Sequence, residues 1–412
     1  MKTTSPPKLF RRDFTLVAIG QIISLFGNAI LRFALPLYLL RQTGSAALFG
    51  LVSACSFLPM IALSFLGGVL ADRVNKRNIM VALDFFTALL VLSVYLGLGR
   101  LPLVPLILVA LMLLYGISGT YQPAVQASIP ALVEGEQVLR GGAVINQISS
   151  LSGLLGPIVG GMFFGAFGIF PILAISAACF FASAVMELFI HIPFTPREKG
   201  PGVLSIVRAD LRDSSRYIRR EKPLLAKVIL LVAAINLVMT SVMTVGLPVV
   251  VVDTLGMSDR MLGLFQGIGA LGGLCGGLFV AAAGNRLTLR HSPRLLLLCS
   301  AFAGGLALPL LLGLSPVAGF WLITAFSFFI MALATVFSVQ MMAAVQLETP
   351  PQLVGKVIAL MIALSMCAQP LGQAIYGALF EQFPAGGGVI LLAAAILSAG
   401  LSLLSRRIFA DA

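Results

Sequence analysis

Along this chain, runs of roughly 20 apolar residues alternate with short polar interruptions from one end to the other. Each run is long enough to cross a hydrocarbon core ~30 Å thick as a helix. The pattern predicts twelve transmembrane helices at about 14–39, 45–71, 78–98, 103–128, 142–168, 171–193, 224–252, 258–284, 294–314, 316–346, 353–382 and 386–405. The border between the fifth and sixth can be drawn in more than one place. The fold class is therefore all-α integral membrane, because a helix in lipid satisfies its own backbone groups.

Within the runs, polar positions recur at helical spacing. The first carries Gln21, Ser24, Asn28 and Arg32, spaced three, four and four residues apart, which sets them on one face. A polar stripe against lipid is costly, so this face is expected to look into protein or a water-filled cavity. The fourth run does the same with Tyr115, Ser118, Gln122 and Gln126. The seventh offers Asn236, Thr240 and Thr244, and the tenth Thr335 and Ser338 between Met331 and Met342.

The apolar pattern stops for about thirty residues after Pro193. There Arg208, Arg212, Arg216 and Arg219 follow one helical face, with Val203, Val207, Leu211 and Ile218 largely opposite. This basic amphipathic stretch suits an anionic inner leaflet; a plain solvated linker is the other reading. Either way it divides a six-helix bundle at 1–193 from a second at 223–412, with 194–222 as a cytoplasmic linker. The halves repeat at an offset of about 212 residues, Pro36 matching Pro248. Gly50 likewise matches Gly263, Asp72-Arg73 matches Asn285-Arg286, and Pro157 matches Pro370. Two pseudo-symmetric bundles from a parallel duplication would place a binding site between the halves, near the bilayer midplane.

Composition agrees. Of 412 residues 59% are hydrophobic and 10% charged, with mean hydropathy +1.05, too apolar for a soluble globular protein. A net charge of +12 is compatible with a nucleic-acid partner, but its location argues for topology. With both termini in the cytoplasm, all but four of the 27 Lys and Arg residues fall inside. The exceptions are Arg41, Arg100 and Arg260 in outer loops and Arg32 within a helix. No contiguous basic face with base-stacking aromatics is present, so no nucleic-acid partner is expected. Lys8, Arg11 and Arg12 before the first run imitate a signal peptide. That run is too long and lacks a small-residue cleavage site, so it reads as a retained first helix. The five cysteines lie inside apolar runs without paired spacing and read as small packing residues.

Chemistry is sparse. Gly267, Gly269 and Gly272 spell a dinucleotide fingerprint, but inside an apolar run with no preceding strand, so they read as helix packing. There is no phosphate-binding loop pattern, and His191 and His291 flank loops without ligand spacing. Neither cofactor, metal site nor enzymatic activity is expected. Ionisable groups within the spans are the functional candidates. Arg32 lies ~27 Å from the cytoplasmic start of its helix at ~1.5 Å per residue, in the outer half of the membrane. An arginine at a helix centre costs roughly 2.5–3.5 kcal/mol on the insertion scale, which a partner or cavity would offset. It reads either as an anchor for an anionic or acceptor-rich substrate or as a side chain snorkelling to the interface. Asp84 and Glu187 sit about two turns from the cytoplasmic ends of the third and sixth runs. As candidate titratable groups they read as an inner-side structural network, with Arg73 or Lys76 as possible partners, or as proton carriers.

The segment from Gly67 to Arg77 then narrows the reading. Gly68, Leu70, Ala71, Asp72, Arg73, Lys76 and Arg77 match the loop between the second and third helices of the major facilitator superfamily, which this chain resembles. Asn75 stands where the pattern has its second glycine, and asparagine is the next best residue for a left-handed turn. The fifth run resembles the antiporter signature of that superfamily through Gly156-Pro157 and Gly160-Gly161, with Ser152 in place of its first glycine. A plain packing face is the alternative there.

The resemblance implies that helices one, four, seven and ten line a central cavity, and that the loop and Gly156-Pro157 take part in conformational gating. Tyr121-Gln122-Pro123-Ala124, Ile129-Pro130 and Gly27 resemble the macrolide-efflux and enterobactin-exporter group, with similarity to lysophospholipid transporters. In that group an acid commonly follows the glycine matched by Gly27, whereas here Asn28 does. The expected polar lining is Asn28, Arg32, Tyr115, Gln122, Asn236, Thr240, Gln369 and Gln373. The expected activity is alternating-access export of amphipathic drug-like molecules, driven by an ion gradient, by a monomer in the cell membrane. Membrane lipids and a small amphipathic substrate are the expected partners, and protons the candidate coupling ion. A lysophospholipid flippase using Arg32 as phosphate anchor is the first alternative, and a non-transporting receptor or scaffold the second.

Overall fold

A computed structural model describes residues 9–135, 137–193, 212, 215–218, 222–283, 292–350 and 353–409. Twelve helices in it are long and apolar enough to cross a membrane. They are α1 (Arg12–Thr43), α2 (Ala46–Arg73), α3 (Lys76–Gly97), α4 (Leu103–Leu132), α5 (Gln137–Phe167) and α6 (Ile169–Glu187). After the linker, α7 begins as Pro223–Ile235 and continues through π-helical turns to Thr254. Then come α8 (Asp259–Ala283), α9 (Ser292–Leu311), α10 (Pro316–Glu348), α11 (Val354–Gln382) and α12 (Gly387–Phe409).

The chain divides into two compact units, one of residues 1–41 and 55–203, the other of 42–54 and 204–412. In the first, α3 packs between α4 and α6, and α5 touches both of those neighbours. In the second, α9 packs against α10 and α12, α8 against α10, and α7 against α11. The opening turns of α2 belong to the second unit by their contacts: Gly50 lies so close to Gly377 of α11 that a methyl group on it would sit 2.8 Å from the Gly377 Cα.

Four local features differ from the sequence reading. Helix α5 starts at Gln137, and a single residue, Gly168 at φ 73°, separates it from α6. Only glycine takes that left-handed angle freely, so the border falls there. Helix α6 ends at Glu187, not 193. Ile190 and Ile192 beyond it are buried with Phe14, Met80 and Val125, and the His191 N–H donates to Asp13 Oδ1 at 3.0 Å. The apolar tail is core, not span.

Asn75 is the third difference. Its φ is −59°, and its side chain accepts from the Arg77 N–H, so it caps the start of α3 instead of making a left-handed turn. Fourth, α7 carries π turns at Asn236–Thr240, Val242–Gly246 and Val250–Thr254. Pro248 supplies no N–H, and the Ser241 hydroxyl donates to the Asn236 carbonyl five residues back at 3.0 Å, both of which loosen an α register. Of the basic linker, Arg212 and residues 215–218 are described; Arg208, Arg219, Asn285, Arg286 and His291 lie outside the described residues. Tyr217 and Ile218 are buried with Leu225, Val357 and Leu360, so this end of the linker is seated on protein.

Candidate functional site

In the first unit, Arg32 reaches from α1 to α4. Its Nη2 donates to the Leu114 carbonyl at 3.2 Å and to the Ser118 hydroxyl, which passes a bond on to the same carbonyl. Leu114 and Ser118 stand one turn apart, so carbonyl and hydroxyl present a paired acceptor to one guanidinium nitrogen. The guanidinium carbon lies 3.9 Å from the centre of the Tyr115 ring, which is backed by Phe57 at 4.8 Å between centroids. Such a cation over a ring gains about 0.5–2 kcal/mol, more as it is desolvated. Snorkelling is not what this side chain does. Its Nε is buried without a partner, so part of the fork of donors stays uncommitted.

The other members of the α1 stripe divide between two environments. Asn28 donates from Nδ2 to the Ser24 carbonyl at 2.8 Å and leaves Oδ1 buried and unpaired. Ser24 and Gln21 face inward. The Ser24 hydroxyl donates to Asp84 Oδ2 of α3 at 2.7 Å and lies 3.4 Å from the Ser183 hydroxyl of α6. One turn along α6, Glu187 accepts from the Tyr121 hydroxyl of α4 at 2.7 Å. A methyl group added at Gly20 would sit 3.1 Å from Glu187 Oε1, which fixes how closely α1 and α6 approach. Asp84 and Glu187 are 2% and 0% exposed. The two acids expected from the sequence thus belong to one buried network. Its partners are hydroxyls, not Arg73 or Lys76, because Asp84 stands two turns above that loop and looks into the unit. The sequence reading marked neither Ser183 nor the role of Tyr121: the spacing of four between Ser183 and Glu187 is a signal for the first, but nothing local aims a tyrosine at a residue 66 positions away.

Gln122 is half-buried on α4, four residues beyond Ser118. Gln126 pairs with Asn146 of α5 at 3.3 Å in an exposed position.

In the second unit, the polar face of α7 is knitted to α11. Asn236 Nδ2 donates to the Ser365 carbonyl at 2.9 Å and its Oδ1 accepts from the Thr240 hydroxyl at 3.0 Å. The Ser241 hydroxyl donates to the Gln369 carbonyl at 3.1 Å, and Gln373 Nε2 donates to the Thr244 hydroxyl at 3.2 Å. Gly372 permits this approach, since a methyl group there would run into the Leu237 carbonyl and the Ser241 hydroxyl. Asn236, Thr240, Gln369 and Gln373 are therefore brought together, with Ser241 and Ser365 as partners that the side-chain pattern alone did not mark. Asn236 and Thr240 also line a cavity of about 90 Å³ in this unit, together with Cys299, Phe337 and Ser398.

Gly156, expected from the sequence to take part in gating, and Gly160 lie close against α1. A methyl group on Gly156 would meet Ala29 Cβ, and one on Gly160 would come 3.1 Å from Phe33. Of the dinucleotide-like glycines, Gly272 is pressed on the Phe328 carbonyl of α10, whereas a methyl group on Gly269 would make only ordinary contact with Met331. At the α2–α3 loop, Arg73 ends α2 and Lys76 and Arg77 open α3, while the side chain of Asp72 lies outside the described residues.

Comparison with known proteins bears on this arrangement. The family model of the Major Facilitator Superfamily matches residues 17–308. Macrolide efflux protein A of Streptococcus pyogenes is 26% identical over 383 residues, covering 90% of each chain. The enterobactin exporter EntS of Citrobacter koseri is 24% identical over 370 residues, 89% of this chain and 85% of that one. Among solved structures, the nucleoside transporter NupG superposes with a TM-score of 0.74 at 12% identity, over 96% of this chain and 99% of that one. That last likeness concerns the fold alone.

Proposed function

The chain belongs to the Major Facilitator Superfamily, and from that premise we propose that it is an alternating-access exporter of amphipathic, drug-like small molecules. The observation that carries this reading is Arg32. A guanidinium is held on the Tyr115 face with its Nε uncommitted, between the apolar neighbours Leu31 and Phe33 of α1. An aromatic-backed cation suits a molecule with an acceptor-rich head and an apolar body, which the ring and its Phe57 neighbour can contact. Export as the direction is supported by the macrolide efflux protein and the enterobactin exporter, both of which match most of the chain.

Asn28, Arg32, Tyr115 and Gln122 of the first unit and Asn236, Thr240, Gln369 and Gln373 of the second contact the substrate. The α2–α3 loop and Gly156-Pro157 of α5 serve conformational gating. The protein works as a monomer in the cell membrane, with both termini cytoplasmic and an ion gradient as energy source.

Reconstitution in proteoliposomes tests this. An imposed pH gradient should drive accumulation of erythromycin or ethidium. Movement of a lysophospholipid that ignores the gradient, with no movement of either drug, would replace export by lipid flipping with Arg32 on the phosphate. Saturable binding with no solute movement of any kind would point to a receptor.

A further inference from the structure

The network inside the first unit lies apart from the Arg32 side chain, yet it buries two carboxyl groups, Asp84 and Glu187. Asp84 and Glu187 are enclosed by α1, α3, α4 and α6, and the groups bonded to them are hydroxyls alone. No Lys, Arg or His side chain among the described residues bonds to either. Tyr121 of α4 is the other titratable group that faces them. Asp13 of α1 is engaged at the start of that helix with the His191 N–H, and Arg140 of α5 is exposed. Arg32 stands two turns away along α1, committed to α4.

Two carboxylates that share one buried enclosure, with no cation bonded to either among the described residues, are costly to charge together, because each would be a buried ion beside a like charge. Glu187 sharpens the point: Oε1 accepts from Tyr121, but Oε2 is buried with no partner at all. Gln21, fully buried one turn before Ser24 on α1, leaves both its amide nitrogen and its amide oxygen unpaired. An amide with a free donor and a free acceptor can serve a carboxylate in one state and a carboxylic acid in the other.

We propose that Asp84 and Glu187 form a proton-binding site, exchanging one proton between them and water as the transporter cycles. Resting on the export reading above, this names protons as the coupling ion and puts their site between α3 and α6 instead of at Asn28. On uptake, a hydronium ion gives its proton to a carboxylate oxygen, an O–H bond forms, and water leaves; release is the reverse. The coupling is mechanical. Ser24 and Tyr121, the two hydroxyls on the acids, sit on α1 and α4, the helices that carry Arg32 and Tyr115. Asn28 lies between, bonded to the Ser24 carbonyl. A change of charge at the acids changes the bonds that hold α1 and α4 against α3 and α6.

The test needs one readout independent of any substrate. Infrared difference spectra of the reconstituted full-length protein, taken across a pH titration, should show a protonated-carboxyl carbonyl band that is lost in Glu187→Gln or Asp84→Asn and kept in Asp13→Asn. A band absent from the wild type, or untouched by both substitutions, overturns the proposal whatever the protein transports. The second readout compares erythromycin exchange without a gradient and accumulation driven by a pH gradient. Loss of accumulation with exchange retained in either variant supports coupling. Equal loss of both in Glu187→Gln and in Asp84→Asn marks a structural role and overturns it. Failure of the wild type to move any drug, with the infrared band intact, defeats the export reading and leaves the proton site standing.

Discussion

The guanidinium of Arg32 lies 3.9 Å from the centre of the Tyr115 ring, so the charge of α1 rests on an aromatic face of α4. Arg32→Ala should weaken binding of anionic ligands more than neutral ones, and equal loss for both would indicate a structural role. Tyr115→Phe keeps the ring and should change affinity little. Tyr115→Leu removes the cation–π attraction and should cost about 0.5–2 kcal/mol, a few-fold to thirty-fold in Kd by ligand titration.

A second relationship ties two distant helix ends. Glu381 Oε2 accepts from the Ala47 N–H at 2.7 Å and from the Ser45 hydroxyl, capping the start of α2 from the end of α11. Because the site is exposed, each single change should be small, and Ser45→Ala with Glu381→Gln should be non-additive by roughly 0.5 kcal/mol or more in a double-mutant cycle of thermal stability. Strict additivity would mean that the cap does not form.

Helix–helix contact predicts a contrast between glycines. Gly272→Ala forces a methyl group into the Phe328 carbonyl and should destabilise by about 1–3 kcal/mol, read as a lower melting temperature in detergent. Gly400→Ala meets nothing within 4 Å and should stabilise α12 by roughly 0.5–1 kcal/mol, since alanine loses less backbone entropy.

The cap at Asn75 makes its own prediction. Asn75→Ala should cost about 0.5–2 kcal/mol, whereas Asn75→Ser keeps an acceptor for the Arg77 N–H and should be near neutral. If a left-handed turn mattered instead, Asn75→Gly would be the stabilising change, and melting curves of the three variants separate the cases.

Asp72→Asn should lower transport without preventing membrane insertion, if the α2–α3 loop latches one state through charge at a helix end. Unchanged erythromycin transport at normal expression would count against that role.

The twelve spans were legible because hydropathy acts locally: a run of ~20 apolar residues has one low-energy place to be, whatever its neighbours are. The stripe Gln21, Ser24, Asn28 and Arg32 was legible for the same reason, since helical periodicity alone puts it on one face. What each member meets was not. Periodicity cannot say that Ser24 bonds an acid of α3 while Arg32 turns to α4, because both lie on the same stripe. Nor could it foresee that Ile190 and Ile192, apolar enough to extend a span, fold back as core.

The sequence by itself determined the number of membrane crossings, the family, and the residues too costly to leave in lipid. Only the tertiary structure decided who partners whom: Asp84 with Ser24 and Glu187 with Tyr121 across 60 and 66 residues, Glu381 with Ser45 across 336. The reason is physical. Burial in lipid is a sum over each segment's own side chains, whereas a hydrogen bond between helices depends on angles and distances that no single segment specifies.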